Sequence, residues 1–108
     1  GLDSCLFVYT ERAWQELIEE KVKKMPIGDD EVRGFIRYFV SGAAECPIDK
    51  QGRVMLTRSL ISYASIKHDV VINGAGQHIE IWAKEKWEEY LEKNKDLTQM
   101  FAKKFFNA

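Results

Sequence analysis

The chain has little of what would declare a function outright. Only two of its 108 residues are cysteines, Cys5 and Cys46, far apart and in no framework spacing. No cleavable leader is read before Gly1, and such a pair fits a reducing cytoplasm better than a disulfide-stapled secreted domain. Charge of one sign is also lacking: 16 Lys and Arg stand against 17 Asp and Glu, for a formal net charge of −1. Bulk charge therefore advertises neither a nucleic acid nor a membrane, and any such partner must be met by a local basic cluster. No apolar run approaches the ~18 residues a membrane helix needs. There is no serine in a nucleophile-elbow context and no Gly-rich phosphate loop. His68 and His78 are not paired with a cysteine at ligand spacing, so both are read as surface or packing residues. Neither an enzyme site nor a metal, cofactor or small-molecule ligand is expected.

What is present is a globular profile, 45 % hydrophobic and 31 % charged, suited to one compact domain or to two small units sharing a core. It also contains an internal echo. "LFVYTERAWQELIEEK" (6–21) overlays "IEIWAKEKWEEYLEKN" (79–94), matching Val8 with Ile81, Tyr9 with Trp82, Trp14 with Trp87, Glu16 with Glu89 and Glu19 with Glu92. Every match keeps the 73-residue offset of Trp14 from Trp87, the mark of a duplicated unit.

Along the chain, "CLFVY" reads as a buried strand, and Thr10 can cap a helix carrying Trp14, Leu17, Ile18 and Val22 on one face. "MPIGDD" breaks it, with Asp29 or Asp30 as the next cap. Val32, Phe35, Ile36, Phe39 and Val40 then mark a second helix ending near Ser41-Gly42. "AAECPIDKQGRVML" reads as strand, turn, strand, with Gly52 supplying a positive φ and Pro47 confining its strand to an edge or bulge. "TRSLISYASI" is a short helix with Leu60, Ile61 and Ala64 inward. "DVVING" and "HIEIW" are strands joined by the turn "AGQ", with Ile79 and Ile81 inward and Glu80 outward. The helix "KEKWEEYLEKN" follows, and a last amphipathic helix carries Leu97, Met100, Phe101 and Phe105 behind a capping-box spacing at Asp96 and Gln99. Trp14, Trp82 and Trp87 fall at core-facing positions and are read as buried. From 43 to 94 the order is β-β-α-β-β-α, whereas the first copy shows only β-α. Roughly thirty residues of that copy are expected upstream by the same offset.

The chemistry concentrates in "DKQGR". Across a hairpin turn, Asp49 and Arg53 can face each other, and the carboxylate would fix the orientation of the guanidinium. Lys50 and Arg53 could then touch phosphates, and the arginine fork could read a guanine edge. The same pentapeptide also suits an ordinary polar hairpin with a structural ion pair.

"SGAAECPIDKQGRVML", followed by "LISYASIKHDVVINGAGQHIEIWAKEKWEEYL", resembles the MraZ family of bacterial transcriptional regulators, part of the AbrB-like swapped-hairpin group. "GLDSCLFVYTERAWQEL" is similar to the end of that family's first repeat, and Asp49 to Arg53 matches its D-x-x-x-R signature in the second. The resemblance implies an α+β fold of tandem swapped-hairpin (double-split) β-barrel repeats with flanking helices, the first incomplete. Its parts would be the strand and helix ending the first repeat (1–24), a connecting helix (25–42), the complete second repeat (43–94) and a C-terminal amphipathic helix (95–108). It further implies a repressor, cytoplasmic and nucleoid-associated, binding direct repeats in double-stranded DNA upstream of the division and cell-wall gene cluster. It would act as a ring-shaped homo-oligomer, with no membrane partner. Asp49, Lys50, Gln51 and Arg53 map onto the DNA-facing turn, with Arg58 just beyond it. The alternative is an assembly or protein-interaction fragment without DNA binding of its own, motivated by the missing half-repeat, the acidic balance and the apolar "LTQMFAKKFF".

Overall fold

The computed structural model describes residues 4–106, and three of its helices begin where a side chain can cap them. The Thr10 hydroxyl accepts from the Ala13 N–H at 3.1 Å and opens helix α1, Glu11–Leu17. The chain continues as a π-helical turn, Ile18–Val22, closed by the Lys23 N–H donating to the Ile18 carbonyl at 2.9 Å. Val22, in that wider turn, is buried. The Asp29 carboxylate accepts from the Glu31 and Val32 amides at 2.8 and 3.4 Å, starting α2, Asp30–Ser41. Thr57 accepts from the Leu60 amide at 3.2 Å and starts α3, Arg58–Tyr63. Each such cap satisfies a backbone donor that the helix itself cannot, an effect of about 1 kcal/mol.

Strands β1 (Leu6–Val8), β2 (Val70–Gly74) and β3 (Ile79–Ala83) form an antiparallel sheet in the order β1-β3-β2. Helices α4 (Lys84–Lys93) and α5 (Lys95–Phe106) complete an α+β architecture. The register follows the internal sequence echo. β1 and β3 belong to the two copies, and Phe7 pairs with Glu80, the two positions that the offset equates. Leu6–Ile81 and Val8–Ile79 flank that pair symmetrically, so the copies meet about a local two-fold. Each strand leads into a helix, and the Tyr9–Trp14 ring contact at 5.9 Å recurs as Trp82–Trp87 at 5.3 Å.

Burial alternates along β2, whereas in β3 it rises toward the C-terminal end, so the expected inward Ile79 and outward Glu80 are not seen, although Ile81 is half-buried. Glu80 is half-buried, its Oε1 accepting from the Trp82 indole N–H at 3.0 Å. Ile79 is 45 % exposed, and Ile72 of β2 is 64 % exposed. Helix α4 packs against β3, where Trp82 meets Trp87 edge-on at 5.3 Å and Tyr90 at a tilt at 5.1 Å, and Trp87 stacks on Tyr90 at 5.7 Å. Trp82 is buried as read, while Trp14 and Trp87 are half-buried. The core is small: Cys5, Leu6, Val22, Ala64, Trp82 and Ala83.

Two further expectations need correction. The segment 43–56 is not a strand pair; it holds one isolated bridge, Ile48–Val54. Ile48 and Met55 are 72 % and 87 % exposed, and a two-stranded ribbon with no covered face does not extend its ladder. Asp96 does not cap α5. Only Asn94 separates α4 from α5, its side-chain amide donating to the Tyr90 carbonyl at 2.9 Å, so Asp96 sits within the first turn, where its charge complements the helix dipole. In α3, Ala64 just past the helix is fully buried and Leu60 half-buried, but Ile61 lies at the surface.

Candidate nucleic-acid interface

The turn of residues 49–53 is built by one aspartate acting on the backbone. The Asp49 Oδ1 accepts from the Gln51 amide at 2.9 Å and from the Arg53 amide at 2.8 Å. The Gly52 N–H donates to the Asp49 carbonyl at 3.0 Å, and the Asp49 N–H to the Arg53 carbonyl at 2.9 Å. Gly52 has φ +78°, the left-handed conformation that closes a three-residue hairpin loop and that a Cβ would strain. A short carboxylate two residues before an acceptor-hungry amide, with glycine at the next position, is the pattern that made this turn legible.

The other carboxylate oxygen holds the arginine. Asp49 Oδ2 accepts from the Arg53 Nε–H at 3.0 Å. The pair is open to solvent, with the Arg53 side chain 73 % exposed and that of Asp49 45 %. The Asp49 carboxyl is held below the usual aspartate range, chiefly by the Arg53 backbone N–H. Partial desolvation opposes this, while the Gln51 amide and the guanidinium add to the depression. The carboxylate is bonded at Nε, and the exposed side chain leaves the terminal nitrogens of Arg53 accessible to solvent. Those two nitrogens form a fork with the span of a guanine O6/N7 pair or of two phosphate oxygens.

The structure brings Asp49, Lys50, Gln51 and Arg53 together in this single exposed turn. It does not join Arg58 to them. Arg58 is the first residue of α3, exposed, separated from the turn by the extended 54–57 segment. Sequence reasoning placed the carboxylate against the guanidinium; it missed the two backbone amides, which make Asp49 the organiser of the turn as well as the partner of Arg53. Among the described residues no group of three or more His, Cys, Asp or Glu could hold a metal ion, and no helix is long and apolar enough to cross a membrane.

Comparison with known proteins places this chain in a family. The family model for the MraZ protein matches residues 39–106, the region containing the turn. The chain is 47 % identical over 103 residues to the transcriptional regulator MraZ of Clostridium tetani, covering 95 % of this chain and 72 % of that protein. The same figures hold for the transcriptional regulator MraZ of Clostridium acetobutylicum. The protein of that name from Heliobacterium modesticaldum is 50 % identical over 93 residues, 86 % of this chain and 64 % of its own length. With the family model spanning more than half of its residues and with these identities, the chain belongs to the MraZ family, a family of transcriptional regulators and not of enzymes.

Proposed function

We propose that this chain is a sequence-specific DNA-binding repressor whose Asp49–Arg53 turn enters the major groove. The observation that carries the reading is the Arg53 guanidinium, fixed through Nε by Asp49 and open to solvent at its far edge. A pre-oriented fork loses little freedom on binding and can grip a guanine by two parallel hydrogen bonds. Lys50 and Gln51, exposed at the tip, supply a phosphate contact and an adaptable polar contact, and Arg58 supplies a further phosphate contact at the flank.

One such turn makes few contacts, so affinity comes from several turns held at fixed spacing on a homo-oligomeric ring and matched to direct repeats in a promoter. The target is the promoter of the division and cell-wall gene cluster, and the site of action the cytoplasmic nucleoid. In this reading residues 43–94 form a complete swapped-hairpin repeat and 1–24 the end of another, linked by 25–42, with 95–108 as an appended helix. The exposed Ile48, Val54 and Met55 of the hairpin are the apolar positions that a double-split barrel would cover. Neither cofactor nor small molecule is required.

Fluorescence anisotropy against a duplex of G-rich direct repeats, at two salt concentrations and with Arg53→Ala alongside, tests the proposal. Salt-sensitive, repeat-dependent binding that Arg53→Ala abolishes supports it. A folded chain that associates with itself yet ignores the duplex at low salt supports the second reading, an assembly module, which the exposed apolar surface of α5 favours.

A further inference from the structure

The turn at 49–53 holds a second side chain able to read a base. The Gly52 N–H donates to the Asp49 carbonyl at 3.0 Å, and Gly52 itself has φ +78°. A β-turn followed by a left-handed glycine is a common three-residue hairpin loop, and Lys50 and Gln51 are its two central residues, both exposed. The Gln51 amide donates to Asp49 Oδ1 at 2.9 Å. The same carboxylate receives the Arg53 amide at 2.8 Å and the Arg53 Nε–H at 3.0 Å. One aspartate therefore pins the backbone beneath two side chains, those of residues 51 and 53.

Lysine presents a point charge with three donors and matches no particular base edge. Glutamine carries a donor and an acceptor side by side, the complement of the N6 amino group and N7 on the major-groove edge of adenine. No hydrogen bond among the described residues engages the Gln51 side chain, so both groups are free to meet a base. Spacing ties it to the arginine. Two residues of even extended chain span at most about 7 Å, which is two base-pair steps of ~3.4 Å.

We infer that Gln51 is a second base reader, taking an adenine in the major groove one or two base pairs from the guanine that Arg53 takes. The inference rests on the DNA-binding reading above and deepens it, since the target then holds an adenine at a fixed step from guanine. Adenine is selected because its edge alone offers an acceptor and a donor together. Guanine offers two acceptors, cytosine a donor, and thymine an acceptor beside a methyl group. Each of these forfeits one of the two bonds that glutamine can make. Lys50 contributes charge without base preference.

Anisotropy titrations of the 108-residue chain at low salt test it. The duplexes carry G-rich direct repeats in which each base pair within two steps of a guanine is replaced in turn by the other three. The wild-type chain should prefer adenine at one such step by about 5- to 150-fold, the factor of one bidentate contact. Replacing that base with 7-deazaadenine, which lacks N7, should remove most of the preference. Gln51→Ala should abolish it and keep the preference for guanine. Gln51→Glu, whose carboxylate only accepts, should move it toward cytosine, whose N4 amino group donates. A side chain that merely shapes the turn would produce no such switch. Lys50→Ala should weaken all duplexes alike. Asp49 holds residue 51 by its backbone N–H, so both Gln51 variants should keep the amide signals of the turn. Guanine-dependent binding with no adenine step, or an adenine preference that survives Gln51→Ala, would overturn the inference and leave the DNA-binding reading standing. A folded wild-type chain that ignores every duplex would overturn both.

Discussion

Replacing Arg53 with lysine separates two roles that alanine would remove together. The guanidinium is held at Nε by the Asp49 carboxylate at 3.0 Å, which leaves its two terminal nitrogens as a planar fork. Lysine keeps the positive charge but not the fork, so it retains a phosphate contact and loses bidentate reading of a guanine. A bidentate base contact contributes ~1–3 kcal/mol of discrimination, or roughly 5- to 150-fold in affinity. Where several turns engage at once, the loss multiplies across them. The predicted signature of Arg53→Lys is weaker binding to G-rich repeats, a flattened preference over G-to-A substituted repeats, and a nearly unchanged dependence on salt. Arg53→Ala should show the same loss and, in addition, a shallower slope of log affinity on log salt, by about 0.9 for each phosphate contact removed. Anisotropy titrations on both duplexes at several salt concentrations read all three quantities. Wild-type affinity and wild-type base preference in Arg53→Lys would refute the argument, since charge alone would then carry recognition.

Other outcomes follow from the same geometry. Gly52→Ala places a Cβ at φ +78°, at a local cost of about 1–2 kcal/mol. DNA binding should weaken and the thermal midpoint should fall by roughly 4–8 °C per kcal/mol of that cost, with Gly52→Asn lying between the two; unchanged binding and an unchanged midpoint would contradict this. The depressed Asp49 carboxyl means that the order it gives the turn is present above its ordinary unfolded value, near 3.9, and is lost as pH falls through the lower folded value. The Gln51 and Arg53 amide signals should therefore titrate with a midpoint below about 3.9, and a midpoint at or above it in NMR spectra would rule the network out. Trp82→Ala empties the one large buried ring site, 4 % exposed, and should cost ~3–5 kcal/mol, moving the urea midpoint down by more than about 1 M; a smaller shift would mean that the Trp82–Trp87–Tyr90 cluster is not the anchor of the sheet.

Much of this arrangement is written locally in the chain. Thr10, Asp29 and Thr57 cap the helices they precede, because an N-cap depends on a few consecutive residues. The Asp49–Arg53 turn is legible for the same reason: its hydrogen bonds stay within five residues. Legibility failed wherever the outcome depends on what lies across from a segment. The alternation in "HIEIW" shows that one face differs from the other, not which face a helix will cover; here α4 brings Trp87 and Tyr90 onto Trp82. Likewise, "AAECPIDKQGRVML" has the pattern of a hairpin, yet a ladder forms only where a third strand or a covered face supports it, and here Ile48 meets Val54 alone. The capping-box spacing at Asp96 misled because α4 passes into α5 through Asn94 without the extended residue a cap requires.

The internal sequence echo bears on one feature that neither stretch explains by itself. Two equivalent strands that pair about a local two-fold place the same position opposite itself, so an undiverged repeat would set Phe against Phe or Glu against Glu. Two carboxylates at a directly paired strand position repel. The chain has Phe7 opposite Glu80 instead. Glu80 accepts from the Trp82 indole at 3.0 Å, while Phe7 stacks on His78 with centroids 4.3 Å apart. By the 73-residue offset, His78, Glu80 and Trp82 correspond to Cys5, Phe7 and Tyr9. The second copy thus contributes the polar half of one cluster, and the first copy contributes a small buried thiol, an apolar ring and a phenol. The second copy's set could not be used twice without setting carboxylate against carboxylate at the axis. Divergence at the axis turns two similar strands into one asymmetric packing unit and fixes their antiparallel register.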